Sequence, residues 1–139
     1  MNVSEKQKKE IARLAQANDL ELVLLFGSQV SGTVHKGSDV DIAVQFQDMD
    51  SAQERFFDLL ADIQDVFPGQ DIDLGLINGA DPLFLKKILE DCDQLFGEPR
   101  ALAELRMYAF RRYIDHKRYL KMEKDYIDRL LDRHGKGAA

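Results

Sequence analysis

The sequence predicts an α/β domain, a mixed twisted sheet flanked by helices, with a C-terminal helical extension. Three observations predict it. The apolar stretches "LELVLLF" (20–26), "DVDIAVQF" (39–46) and "DIDLGLI" (71–77) are short, rich in aliphatic residues and bounded by polar or glycine-containing segments, as strands are. Between and around them, apolar residues recur at intervals of three or four, the period of a helix with one buried face. From Pro99 to His134 no internal Gly or Pro interrupts such a pattern.

The elements follow in order. Ser4 with Gln7 three residues on forms a capping-box pattern, and Ile11, Leu14 and Ala15 supply the apolar stripe of a helix over about 4–18. In the strand at 20–26, alternation gives way to continuous apolar residues, which places its later half under cover on both faces. The strand at 39–46 puts Val40, Ile42, Val44 and Phe46 on one face and its aspartates on the other. Ser51 and Glu54 form a second capping-box pattern that opens a helix with Phe56, Leu59, Leu60, Ile63 and Phe67 inward, and Pro68-Gly69 closes it. A third strand occupies 71–77, and Asp81-Pro82 starts a helix through about Glu90 with proline at the first helical position. "QLF" (94–96) is a short final strand. The remaining stretch of about 35 residues reads as one helix or two, and at 1.5 Å per residue spans about 50 Å, so part of it must protrude or bend back.

A length of 139 residues suits one domain with its own core, here divided into a core at 1–98 and a helical extension of the same domain at 99–139. The longest apolar run, Leu22 to Phe26, is far short of the roughly 20 residues that cross a membrane, and the first ten residues lack the apolar segment of a signal peptide. Cys92 is the one cysteine, so no internal disulfide forms and a cytoplasmic location is expected. Cys92 itself reads as a buried small hydrophobe. Charge is divided unevenly: residues 1–99 hold 8 Lys and Arg against 19 Asp and Glu, a net of −11, whereas 100–139 hold 11 against 6, a net of +5. The acidic core disfavours direct binding of nucleic acid.

The chemistry concentrates in "LLFGSQVSGTVHKGSDVDIAV" (24–44). A glycine after a buried strand lets another group approach the backbone closely, and Gly27-Ser28 presents amide and hydroxyl donors for an anion. Asp39 and Asp41, at i and i+2, point to the same side of a strand and repel each other unless a cation lies between them. Oxygen-only ligands suit a hard ion such as Mg2+, which accepts one or two carboxylates together with phosphate oxygens. Asp71 and Asp73 are candidates for a third acid. Asp73 is chosen because it sits deeper in its strand, where a buried carboxylate would need a metal or partner to offset its cost.

Gly27-Ser28, ten residues, Asp39-Val40-Asp41 and a later strand aspartate together resemble the nucleotidyltransferase fold of the polymerase-beta type over residues 20–97. The small size resembles the minimal nucleotidyltransferases, which occur with helical HEPN proteins as antitoxin and toxin ribonuclease. One departure is visible. Where members often carry an arginine early in the loop, this chain reads "GSQVSG", so phosphate charge falls to metal ions, backbone amides and His35 or Lys36. The resemblance implies a Mg2+-dependent protein adenylyltransferase: Asp39, Asp41 and Asp73 as catalytic and metal-holding acids, and Gly27, Ser28 and Ser38 at the nucleotide. It further implies ATP as substrate, a tyrosine of a cognate HEPN toxin as acceptor, and a hetero-oligomer with that toxin. A non-catalytic antitoxin that masks the toxin, and a small-molecule nucleotidyltransferase, are the rival readings.

Overall fold

The structure is a computed structural model that describes residues 3–27 and 39–137. Helix α1 (Glu5–Ala17) begins in a closed capping box: the Ser4 hydroxyl accepts from the Gln7 amide at 3.1 Å, and the Gln7 side chain accepts from the Ser4 amide at 3.0 Å. Asp19, in the left-handed region at φ 55°, turns the chain into strand β1 (Leu20–Phe26). Strand β2 (Val40–Phe46) pairs antiparallel with it, in a register that sets Phe26 opposite Asp41.

Helix α2 (Met49–Val66) starts earlier than the Ser51 pattern suggests. Asp48 is its N-cap, accepting from the Ser51 amide at 2.7 Å and from the Ser51 hydroxyl at 3.1 Å, so Ser51 is the third helical residue and caps nothing. Either residue satisfies the cap preference by type; the carboxylate, which gains charge-assisted bonds and the favourable end of the helix dipole, takes the position. Those same bonds hold the Asp48 carboxyl below its ordinary range.

Strand β3 (Ile72–Leu76), helix α3 (Pro82–Glu90), strand β4 (Cys92–Phe96) and helix α4 (Pro99–Gly137) complete the chain. Asp81 caps α3 through the Phe84 amide at 2.9 Å, and β4 begins two residues before the apolar "QLF". The sheet order is β3-β2-β1-β4, with β2 and β3 parallel and β1 antiparallel to both its neighbours. It is therefore mixed, as the strand and helix alternation predicts.

Each face of the sheet has its own core. Val23, Leu25, Val40, Ile42, Val44 and Phe46 meet Ile11, Leu14, Leu59 and Ile63 from α1 and α2. On the other face Leu22, Leu24, Phe26 and Ala43 meet Leu85 and Ile88 of α3 and Leu105 and Ala109 of α4. Helix α4 is a single helix of 39 residues. At 1.5 Å per residue it runs about 58 Å. Among its described side chains only Leu105 and Ala109 are buried, and from Lys117 to His134 every side chain is exposed except the half-buried Leu130. Cys92 is half-buried, with the Arg106 guanidinium 3.6 Å from its sulfur, rather than enclosed as a small hydrophobe.

Candidate active site

Strand register assembles the site. Asp41 faces Phe26 across the antiparallel pair and Asp73 across the parallel one. By the two-residue period of a strand, Asp41 shares its face with Ala43, and Asp73 shares its face with Gly75, which is the side covered by α3. Asp41 is half-buried, and Asp39, immediately before β2, is exposed.

Gly27 follows β1 at φ 80°, and a Cβ on it would overlap the Asp41 carboxylate, with the Asp41 Cγ only 3.1 Å away. Glycine is required there on two grounds: the left-handed backbone, and the approach of a carboxylate to that backbone. Ser28, His35, Lys36 and Ser38 lie outside the described residues.

The Asp41 carboxyl is pushed above its ordinary value, first by burial and then by the charge of Asp73, with Asp39 adding to the rise and Lys87 opposing it. The two carboxyl groups stand side by side on paired strands, so their closeness acts in the same direction.

The structure brings Asp41 and Asp73 into contact and sets Asp39 within electrostatic reach of Asp41. Depth in its strand does not single out Asp73. Asp73 is exposed, because β3 is the edge strand of the sheet, so it pays no burial cost. Register, not depth, distinguishes it from Asp71, whose backbone carbonyl accepts from the Val40 amide at 2.8 Å one step before the Asp41 level.

Among the described residues no three His, Cys, Asp or Glu side chains form a metal-holding group. Asp39, Asp41 and Asp73 offer oxygen donors alone, which is the ligand chemistry that Mg2+ accepts. Such an ion takes one or two carboxylates and completes its shell with water and phosphate.

Lys87, on the last turn of α3, is the functional candidate that sequence reasoning missed. Sequence shows only a lysine in a short helix. That α3 crosses the face bearing the acids is a tertiary fact.

A family model described as "Polymerase beta, Nucleotidyltransferase" matches residues 8–101. The chain belongs to that family. This nucleotidyltransferase is similar in fold to a chain of an MntA–HepT toxin–antitoxin complex, with 22% identity over 92% of this chain and 99% of that one, at TM-score 0.63. A chain of a toxin–antitoxin complex with AMP-PNP matches at 24% identity over 89% of this chain and 98% of that one, at TM-score 0.62. A third match, at 22% identity over 91% and 98% and TM-score 0.59, comes from tri-AMPylated Shewanella oneidensis HEPN toxin in complex with MNT antitoxin. None of the curated proteins matches.

Proposed function

We propose that this nucleotidyltransferase is an antitoxin that transfers AMP from ATP to a tyrosine of a cognate HEPN ribonuclease toxin and so neutralises it. The observation that carries the catalytic part is the contact of Asp41 with Asp73 beside the glycine-only corner at Gly27. The acceptor and partner are supported by the shared fold with chains of complexes that contain AMP-PNP or an AMPylated HEPN toxin.

Asp39, Asp41 and Asp73 would hold Mg2+, which when bound neutralises phosphate charge and polarises the α-phosphorus. The chain's own groups do the rest. The backbone at Gly27, with Ser28 and Ser38, binds the phosphates and orients the triphosphate for in-line attack. Asp73, on an exposed edge strand, is open to an incoming acceptor and takes the proton of its hydroxyl. The tyrosine oxygen forms a bond to the α-phosphorus, the bond to pyrophosphate breaks, and pyrophosphate leaves. An adenylate near a ribonuclease centre would repel RNA phosphate and block its entry.

The distal half of α4 supports a hetero-oligomer with the toxin. Tyr119, Met122 and Tyr126 are each at least 60% exposed on a helix that the core does not cover. Large apolar side chains recurring every three or four residues in solvent are what a helical partner packs against. No helix among the described residues is long and apolar enough to cross a membrane. The working location is the cytoplasm, with the toxin.

The test uses purified toxin, ATP and Mg2+. After brief exposure to this protein and its removal, intact-mass measurement should show added adenylate and the toxin should stay inactive, whereas a toxin lacking the acceptor hydroxyl (Tyr→Phe) escapes. A toxin that carries no added mass and recovers full ribonuclease activity would establish masking instead.

A further inference from the structure

We propose that Lys87 binds the triphosphate of the incoming nucleotide and so selects triphosphates over monophosphates. The proposal rests on the nucleotide-transfer reading above and extends it to a residue that reading does not use.

The geometry begins with Phe84. Its ring packs edge-on against Phe26 at 6.2 Å between centroids. It also fills the space over Gly75, where an added Cβ would come within 2.7 Å of the ring. Phe26 is paired with Asp41, and Gly75 stands two residues beyond Asp73 on the same face. Phe84 therefore pins α3 beside the acids from both strands. Lys87 lies three residues after Phe84, which puts the two side chains on neighbouring positions of one helix face.

The adjacent lysine is engaged elsewhere. Lys86 bonds Glu90 at 2.6 Å and sits 5.3 Å above the centre of the Tyr113 ring, in the seam between α3 and α4. Among the described residues Lys87 makes no ion pair within 4.0 Å, is exposed, and is the cation whose charge reaches Asp41. Three acids gathered at one corner oppose the entry of a polyanion. A lysine on a flexible stem, within electrostatic reach of Asp41, supplies positive charge where the phosphates must arrive.

A purely structural role for Lys87 is available, since a cation in the last turn of a helix complements the helix dipole. That role predicts an effect on thermal stability alone. Nucleotide affinity separates the two.

Calorimetric titration of ATP and AMP, with and without Mg2+, should show that Lys87→Gln weakens ATP binding by about 10- to 100-fold, the effect of losing one charge-assisted hydrogen bond. AMP binding should change little, and Lys87→Arg should restore most of the ATP affinity. In turnover, the variant should raise KM for ATP more than it lowers kcat. If Lys87→Gln binds ATP as tightly as the unmodified protein, or loses ATP and AMP equally, the proposal is overturned while transfer by the acids stands. If the unmodified protein binds no ATP at all, both readings fall together.

Discussion

Helices α2 and α4 carry the same kind of amphipathic pattern and meet opposite fates. Along the 18 residues of α2, Ala52, Leu59 and Ile63 are sealed against the sheet. Along the 39 residues of α4, Leu105 and Ala109 alone are buried among the described side chains, while Leu120, Ile127 and Leu131 continue toward the C-terminus in solvent. Length explains the difference. Strands of 5 to 7 residues make a sheet about 17 to 24 Å long, enough for most of the roughly 27 Å of α2 but less than half the reach of α4. A covered stripe contributes to stability, and an uncovered stripe of the same composition is available for binding. Substitutions should therefore separate into those that cost folding and those that cost function.

The acids lie at the functional extreme of that division. Replacing Asp39 and Asp41 together with Asn should abolish AMP transfer, read as loss of the mass added to the toxin, while circular dichroism shows an intact fold. Full transfer by the double variant would remove these residues from the catalytic role. The opposite extreme is Leu59→Ala in α2, expected to destabilise by about 2 to 5 kcal/mol in denaturant titrations, against under about 0.5 kcal/mol for Leu120→Ala in α4. Equal costs would mean that the distal half of α4 is covered within the isolated protein.

Truncation after about residue 115 probes the comparison from the binding side. The core should stay folded, and toxin affinity should fall by about 10- to 100-fold in a titration. Unchanged capture of the toxin would assign the distal stripe a structural role only.

The smallest effect is a pH-dependent one. Because the Asp41 carboxyl titrates above its ordinary 3.8, the folded chain holds that proton more tightly than the unfolded chain does. The resulting stability is full below about that pH and is lost as pH rises through the elevated value. Asp41→Asn removes the loss, so in metal-free melts its melting temperature should exceed that of the unmodified protein near neutral pH by a few degrees at most. The gap should close as pH approaches about 4. A constant gap at every pH would mean that the repulsion at Asp41 is not its source.

Much of the fold is legible residue by residue. Periodicity and caps locate α1, β1 and α3 to within a residue or two, because Ser4, Asp81-Pro82 and the apolar run at 20–26 act through contacts a few residues apart. The start of α2 is less legible, since Asp48 and Ser51 both have cap chemistry and only the folded chain shows which accepts from which. At the site, the Gly27-Ser28 and Asp39-Val40-Asp41 pattern announces oxygen ligands and a close backbone approach.

What sequence by itself determined is local: the strand periods, the caps of α1 and α3, the glycine that a crowded corner requires, and an aspartate on β2 with another just before it. Tertiary structure decided which residues come to them from elsewhere in the chain. Parallel pairing of β2 with an edge strand set Asp73, exposed and not buried, against Asp41. Packing of Phe84 on Phe26 and Gly75 carried Lys87 to the same corner, and the limited length of the sheet left the distal half of α4 uncovered. The physical reason is common to all three. Register, face and cover are properties of how elements pair, and the energies that set them come from contacts between residues far apart in sequence.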